Sequence, residues 1–489
     1  METYASSAED KLVDQLSYKL SSGSSYITDR KSVQFFQVGS NYYSPNSGSK
    51  LIRFVINGDD WLDASNTLRI FFDVKNDFVL PAGSTVDPAK PPHLRVLGGA
   101  YSFFRRMRVL CGNTLVEDID YYNRVHYMMD TLRARHVREN EDAEGFGEDR
   151  FDAETYQPVF QSSSTTGTTV AYPFGPLNTF ASQYISVPYS GSKTVSFKPL
   201  SGLLNCGKLL PIRWAPITIE LELVQSLGDV IINTDDAALG IDTSGSSSHP
   251  NNSTNWSILN PVIRVDTVTL DSGLQNEYAQ LLLSGTGLPI NYSSFVTQLQ
   301  SISGQNVAVN ITRALSRLQS VFCSFDQTYT TAKSTSGKDA HLQVYKKPWN
   351  DLFHPMSYSP NGNYDLNYEI EYQLQIGSKL YPEYPMRSLQ ECFYQLRKCM
   401  GTESSQFHSL DITPYEYRNH KHIIAFDTEK MLGSGFSGLN MKTGSLMTLK
   451  LKTANAATVT AAMMPDTLYL VLHFDSVLEI RDSGIMVYE

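Results

Sequence analysis

Alternation of apolar and polar residues is the feature that most restricts how this chain can fold. It is clearest at residues 50–57 (KLIRFVIN), 217–224 (ITIELELV) and 368–376 (YEIEYQLQI). The same pattern recurs at residues 67–75, 107–111, 262–270, 446–452 and 467–475. Because side chains of a strand point alternately to its two faces, each segment has one buried face and one wet face. This is typical of antiparallel sandwiches, and the segments do not alternate regularly with helices, so we predict an all-β fold.

The length of the chain predicts two domains. Its 489 residues exceed the roughly 250–300 residues at which single cores stop growing, so two domains of about 240 residues are expected. A polar stretch near mid-chain, residues 233–257, follows a strong strand and is interpreted as the junction. The predicted divisions are an N-terminal arm (1–30), a first sandwich (31–235), a linker (236–257) and a second sandwich (258–489).

Three short internal helices are predicted between the strands. The clearest covers residues 388–400, with Ser388 and Glu391 as a capping box and Gly401 at its end. A second covers residues 119–132, with Asp118 as its cap. The third covers residues 272–284, with a capping box formed by Ser272 and Gln275. An amphipathic helix at residues 6–20 has Leu12, Leu16 and Leu20 on one stripe, and is read either as a docking arm or as a helix packed on its own domain.

Composition excludes several classes of protein. Forty Lys and Arg against fifty Asp and Glu give a net charge of -10, which argues against direct binding of nucleic acid phosphates. A hydrophobic content of 41% is too high for a disordered chain. No stretch approaches the roughly 20 apolar residues of a transmembrane helix, and the first residues lack the features of a secretion signal. Five cysteines without a C-x-x-C pair indicate neither disulfides nor a zinc site, so they are interpreted as small buried hydrophobic residues.

Two motifs resemble binding sites but are interpreted otherwise. Residues 433–438 (GSGFSG) match the glycine pattern of dinucleotide sites, but the residues after them predict a turn and a strand where such a site needs a helix. His420 and His422 share one face of a strand and could bind a metal. No third ligand is evident, and Arg418 and Lys421 would repel a cation, so both are interpreted as surface histidines.

Residues 139–154 form an acidic segment without the order of a calcium loop, and are interpreted as a solvated loop. A weak cation site or a contact with a basic surface remains open; Arg133, Arg135 and Arg138 are an example of such a surface. The chain has no G-x-S-x-G motif and no cysteine in a recognisable catalytic setting. We therefore predict no catalytic, cofactor-binding or metal-binding residue, no cofactor and no enzymatic activity.

Several segments together resemble a known family. In the first half they are residues 50–76 (KLIRFVINGDDWLDASNTLRIFFDVKN), 100–125 (AYSFFRRMRVLCGNTLVEDIDYYNRV) and 209–224 (LLPIRWAPITIELELV). In the second half they are residues 426–452 and the strand at 468–474. These segments look like those of the double jelly-roll major capsid proteins of virophages, Polinton-like viruses and large double-stranded DNA viruses.

The resemblance implies two tandem eight-stranded antiparallel jelly rolls with a few short helices and long loop insertions. It also implies a homotrimer of pseudo-hexagonal outline that builds an icosahedral shell. The expected partners are further copies of the chain, neighbouring capsomers, and minor capsid and penton proteins, without direct contact to nucleic acid. The expected location is the virion, after synthesis in the cytoplasm or nucleus of a host cell and without secretion. Contact with a membrane is left open.

Two other readings fit parts of the same pattern. A carbohydrate-binding or adhesive β-sandwich protein would share the strand patterning and exposed aromatic residues, and is expected to remain a monomer or small oligomer. A β-sandwich hydrolase would need an acid pair or a metal cluster, for which His420, His422 and the acidic segment would be the candidates.

Overall fold

The structure is a computed structural model of the whole chain. It describes residues 26–80, 82–83, 94–96, 98–134, 137–138, 141–146, 186–231, 253, 255–326, 352, 369–402, 410–414, 417, 421–431, 436–442, 446–457, 459 and 464–489. The predicted helix at residues 6–20 and most of the acidic segment lie outside these residues.

The first half of the described chain is built from strands. In chain order they are β1 (Ile27–Phe36), β2 (Tyr42–Tyr43), β3 (Leu51–Ile56), β4 (Trp61–Asp63), β5 (Arg69–Asn76), β6 (Leu94–Arg95), β7 (Phe104–Cys111), β8 (Thr114–Asp120), β9 (Ser186–Val187), β10 (Ser192–Phe197), β11 (Leu210–Pro211), β12 (Ile217–Leu223) and β13 (Trp256–Leu270). The long ones include every strand predicted from alternation in this half.

Two antiparallel sheets face each other in this half. One contains β1, β13, β5 and β10 in that order, with β4 and β11 continuing beside β13. The strand β13 lies between β1 and β5, because Val262 pairs with Phe36 on one side and with Phe71 on the other. The second sheet has the order β3, β12, β7, β8. Eight long strands in these two sheets form a complete jelly roll.

The second half repeats this arrangement. Its strands are β14 (Leu288–Ser301), β15 (Asn306–Ile311), β16 (Leu318–Asp326), β17 (Ile370–Ile376), β18 (Lys379–Met386), β19 (Ile424–Asp427), β20 (Met447–Thr453), β21 (Thr467–Arg481) and β22 (Gly484–Tyr488). One sheet has the order β14, β21, β16, β19, with β22 added beside β21, and the other has the order β15, β20, β17, β18. These are two four-stranded sheets again, with one extra strand.

The two halves correspond strand by strand. In chain order, the first jelly roll uses β1, β3, β5, β7, β8, β10, β12 and β13, and the second uses β14 to β21. Each member occupies the same sheet position as its counterpart. The 15-residue strands β13 and β21 are equivalent, and residues 262–268 (VIRVDTV) align with residues 471–477 (VLHFDSV). The chain therefore contains an internal structural duplication, whereas its length alone predicted only two domains.

Four α-helices lie between the strands in the described residues: α1 (Ala64–Thr67), α2 (Tyr122–Thr131), α3 (Ser272–Leu283) and α4 (Leu389–Cys399). Helices α2 and α4 occupy equivalent positions. Helix α2 follows the hairpin of β7 and β8, and α4 follows the hairpin of β17 and β18. The cap predicted at Ser388 is confirmed, since its hydroxyl accepts a hydrogen bond from the Glu391 amide at 3.2 Å. Gly401 follows α4 with a φ of 68°, as expected for a helix end.

The other two predicted caps were wrong. Asp118 lies on β8 and pairs with Arg106 at 2.6 Å, while Tyr121 with a φ of 50° precedes α2. Helix α3 is capped by Asp271, whose carboxylate accepts from the Gly273 amide at 2.9 Å. Asp118 therefore belongs to the sheet, and α3 is capped by an acidic residue one position before the predicted one.

The predicted division of the chain also needs correction. Residues 27–30 were assigned to an arm and residues 258–270 to the second sandwich, but β1 and β13 pair with each other in the first sheet. The polar stretch at mid-chain follows β12 and precedes the last strand of the first jelly roll, so it is an insertion within that domain. The described first jelly roll therefore runs from β1 to β13, and α3 connects it to β14.

Most buried side chains of both halves form one continuous core, and Trp61, Val268 and Leu270 form a smaller separate cluster. In the first jelly roll, Phe72 makes edge-to-face contacts with Phe103 and Phe104, at ring separations of 6.0 and 5.5 Å. In the second, Leu470 and Leu472 of β21 are completely buried. Burying a side chain of this size contributes roughly 1.5–3 kcal/mol. The two cores join where β8 meets β14.

Candidate functional site

The site with the most specific chemistry is the joint between the two jelly rolls. It is formed where β8 and the loop at residues 201–203 of the first jelly roll cover the edge strand β14 of the second, and where α2 contacts β16 and β21. An open strand edge presents unpaired backbone groups and is a site of unwanted association. Here the first jelly roll covers the edge, and it places two charged side chains in the interface.

Glu117 is the acidic residue of the joint. It lies on β8 and only 2% of its surface is exposed. Its carboxylate accepts hydrogen bonds from the Ser201 hydroxyl, from the backbone amides of Gly202 and Leu203 at 2.9 and 3.3 Å, and from the Ser294 hydroxyl at 2.7 Å. Because Ser294 belongs to β14, a single carboxylate connects three segments from both jelly rolls.

Burial sets the ionisation of this carboxyl. Desolvation raises the pKa of Glu117 above its ordinary value of 4.5, and the four hydrogen bonds act in the opposite direction. A buried carboxylate is stable only when its lone pairs are used, which is the role of the four donors.

Arg124 is the basic residue of the joint. It lies on α2 with 1% exposure, and its guanidinium stacks over the ring of Tyr469 on β21 at 3.9 Å. The same group donates to the carbonyl of Phe325 at 3.4 Å and lies 3.9 Å from the Asp326 carboxylate. A desolvated cation over an aromatic face contributes up to about 2 kcal/mol, so Arg124 binds α2 to the second jelly roll.

Close packing of backbone completes the contact. A Cβ atom at Gly202 would lie 1.7 Å from the carbonyl oxygen of Ser293, so only glycine fits at this position. Hydrogen bonds from the Tyr292 hydroxyl to the Val116 carbonyl at 3.2 Å, and from Thr297 to the Asp120 carbonyl at 2.9 Å, follow the same edge. The joint therefore has one defined geometry.

None of these residues was found from the sequence. The prediction of the helix at residues 119–132 did not single out Arg124, and Glu117 occurs among other acidic residues of β8. One signal was present for the loop: residues 201–203 and residues 437–439 are both Ser-Gly-Leu, between equivalent strands of the two jelly rolls. Gly438 also lacks room for a Cβ, which would lie 2.6 Å from the backbone of Arg317.

The histidine pair is not placed as expected. His420 lies outside the described residues. His422 is completely buried, so the interpretation as a surface histidine was wrong. Its ring packs near Tyr417 and Phe325, at 5.1 and 6.4 Å, and desolvation lowers its pKa to about 3. A neutral core histidine results. In the part of the chain that the structure describes, no group of three or more His, Cys, Asp or Glu side chains could hold a metal ion.

The described part of the glycine motif belongs to a loop. Of residues 433–438, Phe436, Ser437 and Gly438 are described, and the Phe436 amide donates to Asp475 of β21 at 3.2 Å. The next regular element is the strand β20, as predicted, where a dinucleotide site needs a helix.

The prediction that the cysteines are small buried hydrophobic residues is confirmed for three of the five. Cys111, Cys323 and Cys392 are buried, and Cys206 and Cys399 are half-buried, all with free thiols. Desolvation raises the pKa of Cys111 to about 12, which makes it a poor nucleophile. Among the helices in the described ranges, none is both long and apolar enough to cross a membrane.

Comparison with solved structures identifies the fold. A chain from the quasi-atomic model of the PBCV-1 virus capsid matches with a TM-score of 0.53 at 13% identity, covering 96% of this chain and 99% of that one. A chain from the structure of the Sputnik virophage matches with a TM-score of 0.53 at 12% identity, covering 97% and 91%. PBCV-1 VP54 matches with a TM-score of 0.52 at 12% identity, covering 96% and 99%.

No protein-family model matches the sequence, and no curated protein is similar to it. The structural matches extend over nearly the whole chain and confirm the predicted fold of two tandem antiparallel jelly rolls. The resemblance to the double jelly-roll capsid proteins is therefore confirmed in the fold, and the neighbours in structure are proteins of virus shells.

Proposed function

We propose that this chain is a major capsid protein that forms homotrimeric capsomers of pseudo-hexagonal outline in an icosahedral shell of a double-stranded DNA virus. The single observation that carries the proposal is the internal duplication: one chain contains two complete jelly rolls with the same strand order. Three such chains supply six similar sides, and six similar sides are what a closely tiled layer of capsomers requires.

The joint supports a structural role. A shell protein must keep its two jelly rolls in one relative orientation, because errors in angle would add up across the tiling. The contacts of Glu117, Arg124 and Gly202 provide a defined and buried connection of this kind. No flexible linker separates the two cores, which are continuous.

The chemistry of the chain supports the remaining parts of the proposal. A net charge of -10 gives little attraction to DNA, so other proteins would contact the genome. We propose that the partners are further copies of the chain together with minor capsid and penton proteins, and that the protein acts in the virion after synthesis inside a host cell. The use of buried polar groups in packing favours a role without catalysis, since the buried carboxylate of Glu117 has four structural partners.

The test is the mass of the purified chain in solution, measured by light scattering and followed by negative-stain imaging of the same fraction. We expect a species of about 164 kDa, three times the 54.7 kDa of one chain, with hexagonal outlines. A stable monomer at high concentration contradicts the proposal.

A further inference from the structure

The joint uses one edge from each jelly roll and leaves the equivalent edges exposed. Within the chain, β8 of the first jelly roll covers β14 of the second. Their counterparts are β18 in the second jelly roll and β1 in the first. Among the described strands, β18 pairs with β17 alone and β1 with β13 alone, so each is the end strand of its sheet.

The covered strands β8 and β14 differ in exposure from the uncovered strands β1 and β18. On β14 and β8, the residues that face the joint are buried, including Tyr292, Ser294 and Glu117. On β1 the first six residues are all exposed, and Phe36 at its end has 68% of its surface exposed. On β18, Tyr384 is 54% exposed. Two strand edges that carry exposed aromatic residues are expected to be covered in the assembled state.

The strand registers identify which residues are equivalent. Val262 of β13 pairs with Phe36 and Phe71, and the equivalent Val471 of β21 pairs with Thr297 and Phe322. Phe36 is therefore the counterpart of Thr297, which contacts Asp120 in the joint.

The helix caps identify the residue near β18 and α4 that is equivalent to Asp120. Tyr121 and Ser388 are the caps of α2 and α4, so the preceding residues, Asp120 and Arg387, correspond. If the joint is repeated between copies, Phe36 of one copy therefore faces Arg387 of the next.

At the positions equivalent to the charged pair of the joint, the two charges have opposite signs to those in the joint, so they still attract each other. Three residues after the two caps lie Arg124 in α2 and Glu391 in α4. Arg124 pairs with Asp326, which lies four residues after Phe322. Because Phe322 and Phe71 are equivalent, the residue equivalent to Asp326 is Lys75, four residues after Phe71. The intrachain pair of Arg124 with Asp326 thus corresponds to a pair of Glu391 with Lys75, with both signs reversed. A repeat of the joint between two copies would bring opposite charges together.

A groove lies where the neighbouring helix would enter. It has a volume of about 450 Å³ and is lined by residues of β1, β5 and β13 and the turn after β1, among them Gln34, Phe36, Asn41, Phe71, Asn260 and Arg264. On the second jelly roll, the equivalent region around Thr297 and Tyr469 is filled by α2 and the end of β8. The groove is the open counterpart of a contact that is already filled within the chain.

We infer that β18 and the start of α4 of one copy dock on β1 and this groove of a second copy, by repeating the internal joint. The inference rests on the proposed function, and it names the surface through which the copies join. Because each chain then presents one donor edge and one acceptor edge, the contact is head-to-tail, the kind of contact from which the ring of three copies in the proposed function is built.

The first experiment joins the two edges covalently. The Phe36→Cys, Arg387→Cys double variant is oxidised and separated on a non-reducing gel, with each single variant and the Phe36→Cys, Leu283→Cys pair as controls. Leu283 is exposed at the end of α3 and belongs neither to β1 or β18 nor to the lining of the groove. We expect covalent trimers only for the Phe36 and Arg387 pair, at least tenfold above the controls.

The second experiment weakens the contact and then restores it. Phe36→Asp is compared with Val79→Asp, which changes an equally apolar residue with 78% exposure outside both edges. We expect monomers for Phe36→Asp and the wild-type mass for Val79→Asp. Lys75→Glu should weaken association at least tenfold, and adding Glu391→Lys should restore it. Circular dichroism and thermal melts verify that each variant is folded.

The possible results separate the two claims. A trimer that resists Phe36→Asp and forms no specific cross-link overturns the inferred surface and leaves the proposed function standing. A wild-type monomer overturns both. Cross-linked trimers, together with rescue by the charge exchange, support both.

Discussion

At the scale of single residues, the joint depends on a glycine with no space beside it. We expect Gly202→Ala to destabilise the protein by about 3 kcal/mol or more, because the added Cβ would overlap the Ser293 carbonyl and push β14 away. Gly48→Ala is the matched control, since a Cβ there meets no atom within 4 Å. Chemical denaturation of both variants measures the difference, and equal stability would show that the joint can shift at little cost.

The buried carboxylate gives a second prediction, which depends on pH. The pKa of Glu117 is raised in the folded state, so the folded protein holds this proton more tightly than the unfolded chain. The stability of the wild type relative to the Glu117→Gln variant should therefore decrease as pH rises from about 4.5 through the folded pKa, and then stay constant.

At neutral pH we still expect the Glu117→Gln variant to be less stable by about 1–3 kcal/mol. Glutamine replaces one carboxylate oxygen by an amide nitrogen, so one of the two backbone amides loses its acceptor: that of Gly202, which donates to Oε1, or that of Leu203, which donates to Oε2. Denaturation curves of both proteins between pH 4 and pH 8 test both parts, because the other titrating groups are common to the two proteins. A stability difference that does not change with pH would contradict the raised pKa.

Buried polar residues are the ones that the sequence did not predict. Buried apolar residues were found because alternation and helical stripes report which face is covered. Glu117, Arg124 and His422 are polar residues on covered faces, and a polar residue in a pattern predicts exposure. What covers them is a second domain or a loop distant in sequence, and no local pattern contains that information.

At the scale of secondary-structure elements, local chemistry determines the helix that was predicted best. Ser388 accepts from the Glu391 amide, and the Glu391 carboxylate accepts from the Arg387 amide at 2.6 Å. We expect Ser388→Ala to lower the free energy of unfolding by about 1 kcal/mol, the usual value for a lost helix cap. Ser388→Asp, which keeps an acceptor, should have nearly wild-type stability. Thermal melts compare the three proteins, and equal loss in both variants would assign the effect to packing.

The pairing of secondary-structure elements also explains why the predicted domain boundary was wrong. The strands were predicted because their alternation extends over six or more residues, as in β3, β5, β12 and β17. The domain boundary was misplaced because a polar insertion was taken for a linker. In a jelly roll the last strand returns to pair with the first, so β13 belongs with β1 despite the long separation in sequence. Sequence-local signals cannot report this return.

At the scale of the whole molecule, the continuous core predicts cooperative unfolding. Because the buried clusters of the two jelly rolls join through β8 and β14, neither can unfold without exposing part of the other. We expect a single heat-absorption peak for the wild type at fixed protein concentration. In the Glu117→Ala, Arg124→Ala double variant the joint loses both buried charged groups, while the sheets of each jelly roll keep their own hydrogen bonds, so two separated peaks are expected.

The matched control for this experiment removes an ion pair that lies within one jelly roll. Arg106 and Asp118 join β7 to β8 at 2.6 Å and remain partly exposed, so Arg106→Ala with Asp118→Ala should lower the transition temperature only slightly and keep one peak. Two peaks in the wild type would mean that the joint does not couple the jelly rolls. One unchanged peak in the Glu117 and Arg124 variant would assign the coupling to the apolar contacts along β14. Two peaks in the Glu117 and Arg124 variant would show that the buried charges hold the two jelly rolls together as one unit. A closed ring of identical chains requires such a unit, because every copy must have the same shape.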